Sequence, residues 1–142
     1  IDAMAAHLVR RASDFDVIVT ENMYGDILSD LAGELVGSLG LAPSINSNDN
    51  LAMAQAAHGS APDIAGKNIG NPTGIMLSTV MLMDWLAERH NDPKLKEMGQ
   101  LVEQGLYQSL EEGVKTKDLG GNASTSGFAE AISERINQAV LS

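Results

Sequence analysis

The sequence predicts a mixed α/β fold in which helices dominate. Three observations carry that expectation: segments with apolar residues at helical spacing, a short run of β-branched residues, and long Gly- and Pro-punctuated stretches between them. At 142 residues and 44% hydrophobic, the chain is long enough for one ordinary domain with a core and too apolar for disorder.

Residues 3–8 are short and mostly apolar, followed by the polar Arg10-Arg11-Ala12-Ser13-Asp14. Residues 15–20, FDVIVT, read as a strand because β-branched side chains suit a pleated surface. A helix is expected over 26–36, with Ile27, Leu28, Leu31 and Leu35 on one side. The stretch from Gly37 to Ser44 is rich in turn formers and marks a candidate domain boundary. Residues 45–50, rich in Asn and Ser, are expected to be a loop, residues 51–57 a short strand, and residues 58–72 a long loop. Residues 73–89 form a helix that is apolar nearly all round, which predicts burial in a core or at a subunit interface. Residues 94–114 are amphipathic, with Leu95, Met98, Leu101, Val102, Leu106 and Leu110 inward. A Gly- and Ser-rich loop over 117–126 precedes a last helix over 125–140, in which Phe128, Ile132 and Ile136 recur at four-residue spacing. No internal repeat or low-complexity tract is present.

Composition excludes several function classes. Nineteen acidic against nine basic residues give a net charge of −10, which argues against a nucleic-acid partner. No apolar run approaches the roughly 18 residues that span a bilayer, so no membrane association is expected. The opening IDAMAAHLVRR lacks the charged-then-apolar order of a signal peptide. The absence of cysteine rules out disulfides and thiolate metal sites, and it fits a reducing compartment, the cytoplasm. The chain opens at Ile1 without an initiator Met, and its first residues already read as ordered, so a piece of a longer protein is expected.

Asp26 and Asp30 stand four apart, so their side chains project from one helix face. Two like charges at this spacing cost an isolated helix about 0.2–0.5 kcal/mol, a penalty that a bound cation reverses. Asp26 alone also fits the preference for acids in a first turn. On spacing alone, a solvated acidic face is the favoured reading and a cation site the alternative. Without clustered histidines, an oxygen-liganded Mg²⁺ or Mn²⁺ is a better candidate than zinc. The stretch from His58 to Lys67 offers small residues that let a backbone approach a ligand, with N–H groups able to meet phosphate oxygens. It is not a P-loop: the glycine spacing is wrong, and Asn68 stands where Ser or Thr is required. A surface turn that uses Gly and Pro for geometry carries about equal weight at this point.

Longer motifs go beyond spacing. Tyr24-Gly25-Asp26-Ile27-Leu28-Ser29-Asp30, Gly37-Ser38-Leu39-Gly40, and His58-Gly59-Ser60-Ala61-Pro62-Asp63-Ile64-Ala65-Gly66-Lys67 with Asn71-Pro72 closely resemble the isopropylmalate/isocitrate dehydrogenase family. Asp2-Ala3-Met4-Ala5 and Asp118-Leu119-Gly120-Gly121 match flanking segments, and the likeness is weak only around 45–50 and 86–117.

The resemblance implies the C-terminal part of that family's α/β fold, distinct from a G-x-G-x-x-G Rossmann domain. Residues 1–36 would end the dimer-forming, metal-site domain, and residues 37–142 would form the C-terminal half of the cofactor-binding domain. The implied activity is oxidation of a 2-hydroxy acid with NAD(P)⁺ followed by β-decarboxylation, on a substrate such as 3-isopropylmalate, isocitrate, homoisocitrate or tartrate. Asp2, Asp26 and Asp30 would hold Mg²⁺ or Mn²⁺, with Asp2 donated across a homodimer interface. His58 would lie beside the adenine, and Gly59, Ser60 and Ala61 along the dinucleotide. Asp63, next to Ile64, would accept hydrogen bonds from the ribose hydroxyls and repel a 2′-phosphate, which favours NAD over NADP. Gly40, Gln55, Gly70, Asn71 and Asp118 complete the implied cofactor set.

Two features depart from the family pattern: Gln55, followed by Ala56-Ala57, stands where Glu is usual, and Gly70 where Ala is usual. The family's catalytic Tyr and Lys and its substrate-clamping arginines are expected upstream of Ile1, so this chain alone is expected to be inactive. The alternatives are a non-catalytic regulatory subunit and an inactive cofactor-binding fragment of the same family.

Overall fold

The structure is a computed structural model in which residues 1–141 are described. Helices α1 (Asp2–Arg11) and α2 (Asn22–Val36) come first, then strands β1 (Pro43–Ser47) and β2 (Ala52–Ala56), then helices α3 (Thr73–His90), α4 (Pro93–Glu111) and α5 (Thr125–Leu141). Single 3₁₀ turns punctuate the connections at Ala12–Asp14, Leu39–Leu41, Pro62–Ile64 and Lys117–Leu119. This is the mixed, helix-dominated architecture that the apolar periodicity predicts.

The core lies where α3, α4 and α5 meet. Leu106, Phe128 and Ile132 are buried together, with Met76, Leu77, Leu110, Val114 and Ile136 packed around them. Gly105 permits the close approach of α5, because a Cβ there would stand 3.2 Å from the Ile132 carbonyl oxygen. Asn91 takes the left-handed conformation that ends α3. Asp92 then caps α4 by accepting the Lys94 N–H at 3.0 Å, with Pro93 in the first helical position. Arg135 ties α5 to the end of α4 by pairing with Glu112, while also donating to the Ala131 carbonyl of its own helix at 2.7 Å. Met98, expected inward, is instead half-exposed, because the small Gly99 beside it takes the contact with Val80 of α3.

The β1–β2 hairpin pairs Pro43 with Ala56 through Ser47 with Ala52, antiparallel. Its first strand overturns the expected loop at 45–47, whereas residues 48–50 form the turn of the hairpin. Asn48 closes the turn by accepting the N–H groups of Asn50 and Leu51 at 2.8 and 3.0 Å. The fully buried Ser78 of α3 then stitches both strands to the helix. Its Oγ accepts the Ser44 N–H at 3.1 Å and donates its proton between the Gln55 and Gly74 carbonyls at 2.8 and 2.7 Å.

The reverse correction applies to residues 15–20. They form no strand, and Val17 and Val19 are 80% and 92% exposed. A strand needs a hydrogen-bonding neighbour, and β1 and β2, the strands among the described residues, pair with each other. Helix α2 begins four residues before the expected Asp26. Asp26 therefore sits in its second turn, outside the reach of the first-turn explanation for an acid there. The buried residues of α2 are Leu28 and Gly33, whereas Ile27 and Leu35 are half-exposed.

Candidate functional site

A cavity of about 770 Å³ opens where the 3₁₀ turn after α2, the long loop before α3, and the segment before α5 converge. That volume lies within the range of small-molecule sites, about 300–1,000 Å³. Its walls include Gly40, His58, Gly59, Ser60, Ala61, Ile64, Gly70, Asn71 and Asp118 from the sequence-derived set. Ser38, Asn68 and Thr125 also line it, and sequence reasoning missed them as site residues.

The loop is shaped by left-handed backbone at Ala61 (φ 42°), Gly66 (φ 73°) and Asn68 (φ 54°). Such a φ is costly for a residue with a Cβ and is retained where surrounding contacts over-determine it. The contacts here are explicit. The Asn68 carbonyl accepts the Thr125 N–H at 2.9 Å, and Thr125 Oγ1 donates to the Gly70 carbonyl at 2.6 Å. Gly59 and Gly66 leave open space on their Cβ side, with no atom within 4 Å. Among the described residues, the backbone N–H groups of His58, Gly59, Ser60 and Ala61 donate to no protein acceptor. A run of unused donors on a cavity wall suits a ligand rich in anionic or acceptor oxygens.

Another part of the lining is built around Asp118. Its Oδ2 accepts from Ser38 Oγ at 2.6 Å and Asn71 Nδ2 at 2.9 Å, and its Oδ1 accepts from Thr116 Oγ1 at 2.6 Å. Burial pushes the Asp118 carboxyl up, but the hydrogen bonds from Ser38, Thr116, Asn71 and its own backbone N–H together outweigh burial. They hold it below the usual carboxylate range. Gly40 passes so close that a Cβ on it would stand 2.9 Å from Asn71 Cβ.

Two members of the expected cofactor set do not line the cavity. Gln55 lies on β2, where its backbone carbonyl serves Ser78 and its side chain is exposed. Asp63 is exposed in the 3₁₀ turn between the lining residues Ala61 and Ile64. Asp26 and Asp30 are exposed on successive turns of α2, and Asp2 is exposed at the start of α1. Among the described residues, no three His, Cys, Asp or Glu side chains are gathered into a metal-holding group. The exposed carboxylates of α2 have the donor chemistry for a hard cation, and two of them do not complete its shell. No helix among the described residues is long and apolar enough to cross a membrane.

The chain belongs to the isocitrate/isopropylmalate dehydrogenase family, whose sequence pattern matches residues 1–132. It is 52% identical to an isocitrate/homoisocitrate dehydrogenase of Thermus thermophilus over 96% of this chain and 39% of that protein. It is 47% identical to a 3-isopropylmalate dehydrogenase of Sulfurisphaera tokodaii over 96% of this chain and 41% of that protein. The solved isocitrate dehydrogenase of Methylococcus capsulatus superposes with a TM-score of 0.86 at 38% identity, covering 95% of this chain and 39% of that one. The chain thus spans about two fifths of the length of the curated relatives it matches.

Proposed function

We propose that this chain supplies the cofactor-holding loops and the metal-binding aspartates of an NAD- and divalent-metal-dependent dehydrogenase. The enzyme oxidises a 2-hydroxy acid such as 3-isopropylmalate or isocitrate and removes its β-carboxylate. The observation that carries the reading is the glycine-lined cavity walled by residues 58–61, whose backbone N–H groups are unused within the protein. Those donors fit the phosphate and ribose oxygens of a dinucleotide, and the imidazole of His58 offers a flat face to the adenine. Asp63, exposed beside the lining residues Ala61 and Ile64, accepts from ribose hydroxyls and disfavours a 2′-phosphate.

Asp26 and Asp30 hold one side of a Mg²⁺ or Mn²⁺ site, and Asp2 of a second subunit completes it in a homodimer. The bound cation would supply stabilisation of negative charge on the substrate oxygens. The Tyr and Lys that the family resemblance implies as proton-transferring groups are placed by this reading in the complete protein, outside this chain. In this arrangement residues 1–36 end a dimer-forming domain and residues 37–142 belong to the cofactor domain.

The test incubates the complete protein carrying this sequence with NAD, Mn²⁺ and a panel of 2-hydroxy acids bearing a β-carboxylate. Cofactor reduction coupled to CO₂ release with at least one of them is expected. A folded, NAD-bound protein that turns over none of them would assign the chain a regulatory or binding role instead.

A further inference from the structure

We propose that Ser38 and Asp118 are positioning residues that fix the orientation of the Asn71 amide on the cavity wall, and that Asp118 is not itself a cofactor contact. The inference rests on the cofactor reading of the cavity.

An ionised carboxylate accepts at about four lone-pair sites, and Ser38, Asn71, Thr116 and the backbone N–H of Asp118 itself all bond to it. Ser38 has a single hydroxyl proton and spends it on Asp118. Its own oxygen is aligned by the Gly40 N–H at 3.1 Å. The Asn71 amide is held at both ends, since Oδ1 accepts the Thr73 N–H at 3.0 Å while Nδ2 donates to Asp118 at 2.9 Å. Flipping that amide would set donor against donor at Thr73 and acceptor against acceptor at Asp118. The valence left to the Asn71 amide nitrogen is its second N–H, so the cavity wall presents a donor there. That N–H suits an acceptor on the ligand, such as an unprotonated ring nitrogen or a hydroxyl oxygen.

Gly40 is part of the same device. A Cβ on it would stand 2.9 Å from Asn71 Cβ and 3.3 Å from both Asp118 Oδ2 and Ser38 Oγ. The backbone thus braces the three side chains where they meet. Ser38 and Asp118 lie 80 positions apart, and their hydrogen bond ties the segment leaving α2 to the segment entering α5 along the cavity wall.

The experiment measures the NAD dissociation constant of the complete protein for the unaltered form, Ser38→Ala, Asn71→Ala and the double variant, with Ser38→Thr as the hydroxyl-retaining control. Ser38→Ala is expected to weaken binding roughly 3- to 10-fold, the worth of one hydrogen bond. Ser38→Thr should restore it, and Ser38→Ala should add nothing once Asn71 is Ala. A merely structural role for Ser38 predicts that its loss multiplies the Asn71→Ala loss, and that result overturns the proposal. Should Ser38→Ala not fold, Asp118→Asn replaces it in the same cycle and reads the same coupling. Failure of the unaltered protein to bind NAD overturns the cofactor reading and this inference together. Binding with multiplicative losses overturns this inference alone.

Discussion

Asn68 clasps Ser126 from a loop 58 positions away: its Oδ1 accepts the Ser126 N–H at 3.1 Å and its Nδ2 donates to Ser126 Oγ at 2.9 Å. The first N–H groups of a helix have no partner within it. For α5, one of them is satisfied by a side chain from the cavity loop, so the start of α5 and the shape of that loop stabilise each other.

The order of stability at position 68 should therefore be Asn, then Gly, then Ala. Asn68→Gly loses the clasp but keeps the left-handed backbone at φ 54°, at a cost of about 1 kcal/mol. Asn68→Ala loses the clasp and also carries the left-handed penalty, for a total of about 2–3 kcal/mol. Urea denaturation of the three proteins checks the order. An Ala variant as stable as the Gly variant would remove the backbone half of the argument.

Glycines in the same cavity should respond in opposite ways to Ala. At Gly40 an added Cβ meets Asn71 Cβ at 2.9 Å, so Gly40→Ala should cost about 1–3 kcal/mol and weaken NAD binding. At Gly59 an added Cβ meets nothing within 4 Å, and the backbone is not left-handed. Gly59→Ala should leave the fold unchanged or stabilise it by about 0.4–1 kcal/mol, through the unfolded chain. Melting temperatures of both variants decide the matter, and similar losses at the two sites would contradict the packing described for Gly40.

Asp118 makes stability depend on pH in a definite direction. Its folded carboxyl lies below the usual carboxylate range, so between the folded and unfolded values the unfolded chain binds more protons. Its contribution is fully present above the ordinary carboxylate pKa, about 3.9, and is lost as pH falls through the depressed folded value. Comparing the unaltered protein with Asp118→Asn cancels other acids, including Glu112, whose carboxyl is lowered by its bonds to Arg135 and Gln108. The gap in melting temperature should be constant at neutral and mildly acidic pH and close in strong acid. A gap that widens on acidification would reverse the assignment.

The sequence carries α3, α4 and α5 well because their signal is local. The apolar spacing of Phe128, Ile132 and Ile136 places α5, and that of Leu95, Leu106 and Leu110 places α4. Strand β1 was illegible for the opposite reason. Its Asn- and Ser-rich residues have no strand propensity, and it is held by Asn48 in the turn and by Ser78 on a helix 34 positions from Ser44. Residues 15–20 show the converse: propensity alone builds no strand without a partner to pair with. In the site, the loop from His58 to Lys67 was readable from its glycines and its family motif. The roles of Ser38, Asn68 and Thr125 were not, because each bonds a residue far away in sequence.

Metal dependence should fail through Asp26 without loss of the fold. Asp26 is exposed and neither its side chain nor that of Asp30 caps or pairs with another group among the described residues, so Asp26→Asn removes charge and little structure. In the complete protein, Mn²⁺ affinity and turnover should both collapse, while the melting temperature measured without metal stays level or rises slightly as the like-charge repulsion at this spacing is relieved. Undiminished Mn²⁺-dependent turnover in the folded variant would remove α2 from the metal site.

Cofactor choice gives the last test, and it turns on a residue that does not line the cavity. Asp63 sits exposed between Ala61 and Ile64, which do line it, so under the proposed function it faces the part of the ligand that reaches out of the cavity. A carboxylate there accepts from both ribose hydroxyls of NAD. The same carboxylate opposes the two negative charges of a 2′-phosphate, with an energy weakened by solvent at an exposed site. The expected preference for NAD is therefore clear at low salt and shrinks as salt rises. Asp63→Asn should lose most of the discrimination by improving NADP binding more than it harms NAD binding. Asp63→Lys should reverse the preference, since the ammonium pairs with the phosphate. Specificity constants for both cofactors, measured for the three proteins at two salt concentrations, test each step. A preference for NADP in the unaltered protein, or a preference that Asp63→Lys leaves unmoved, would place the discriminating group elsewhere on the loop.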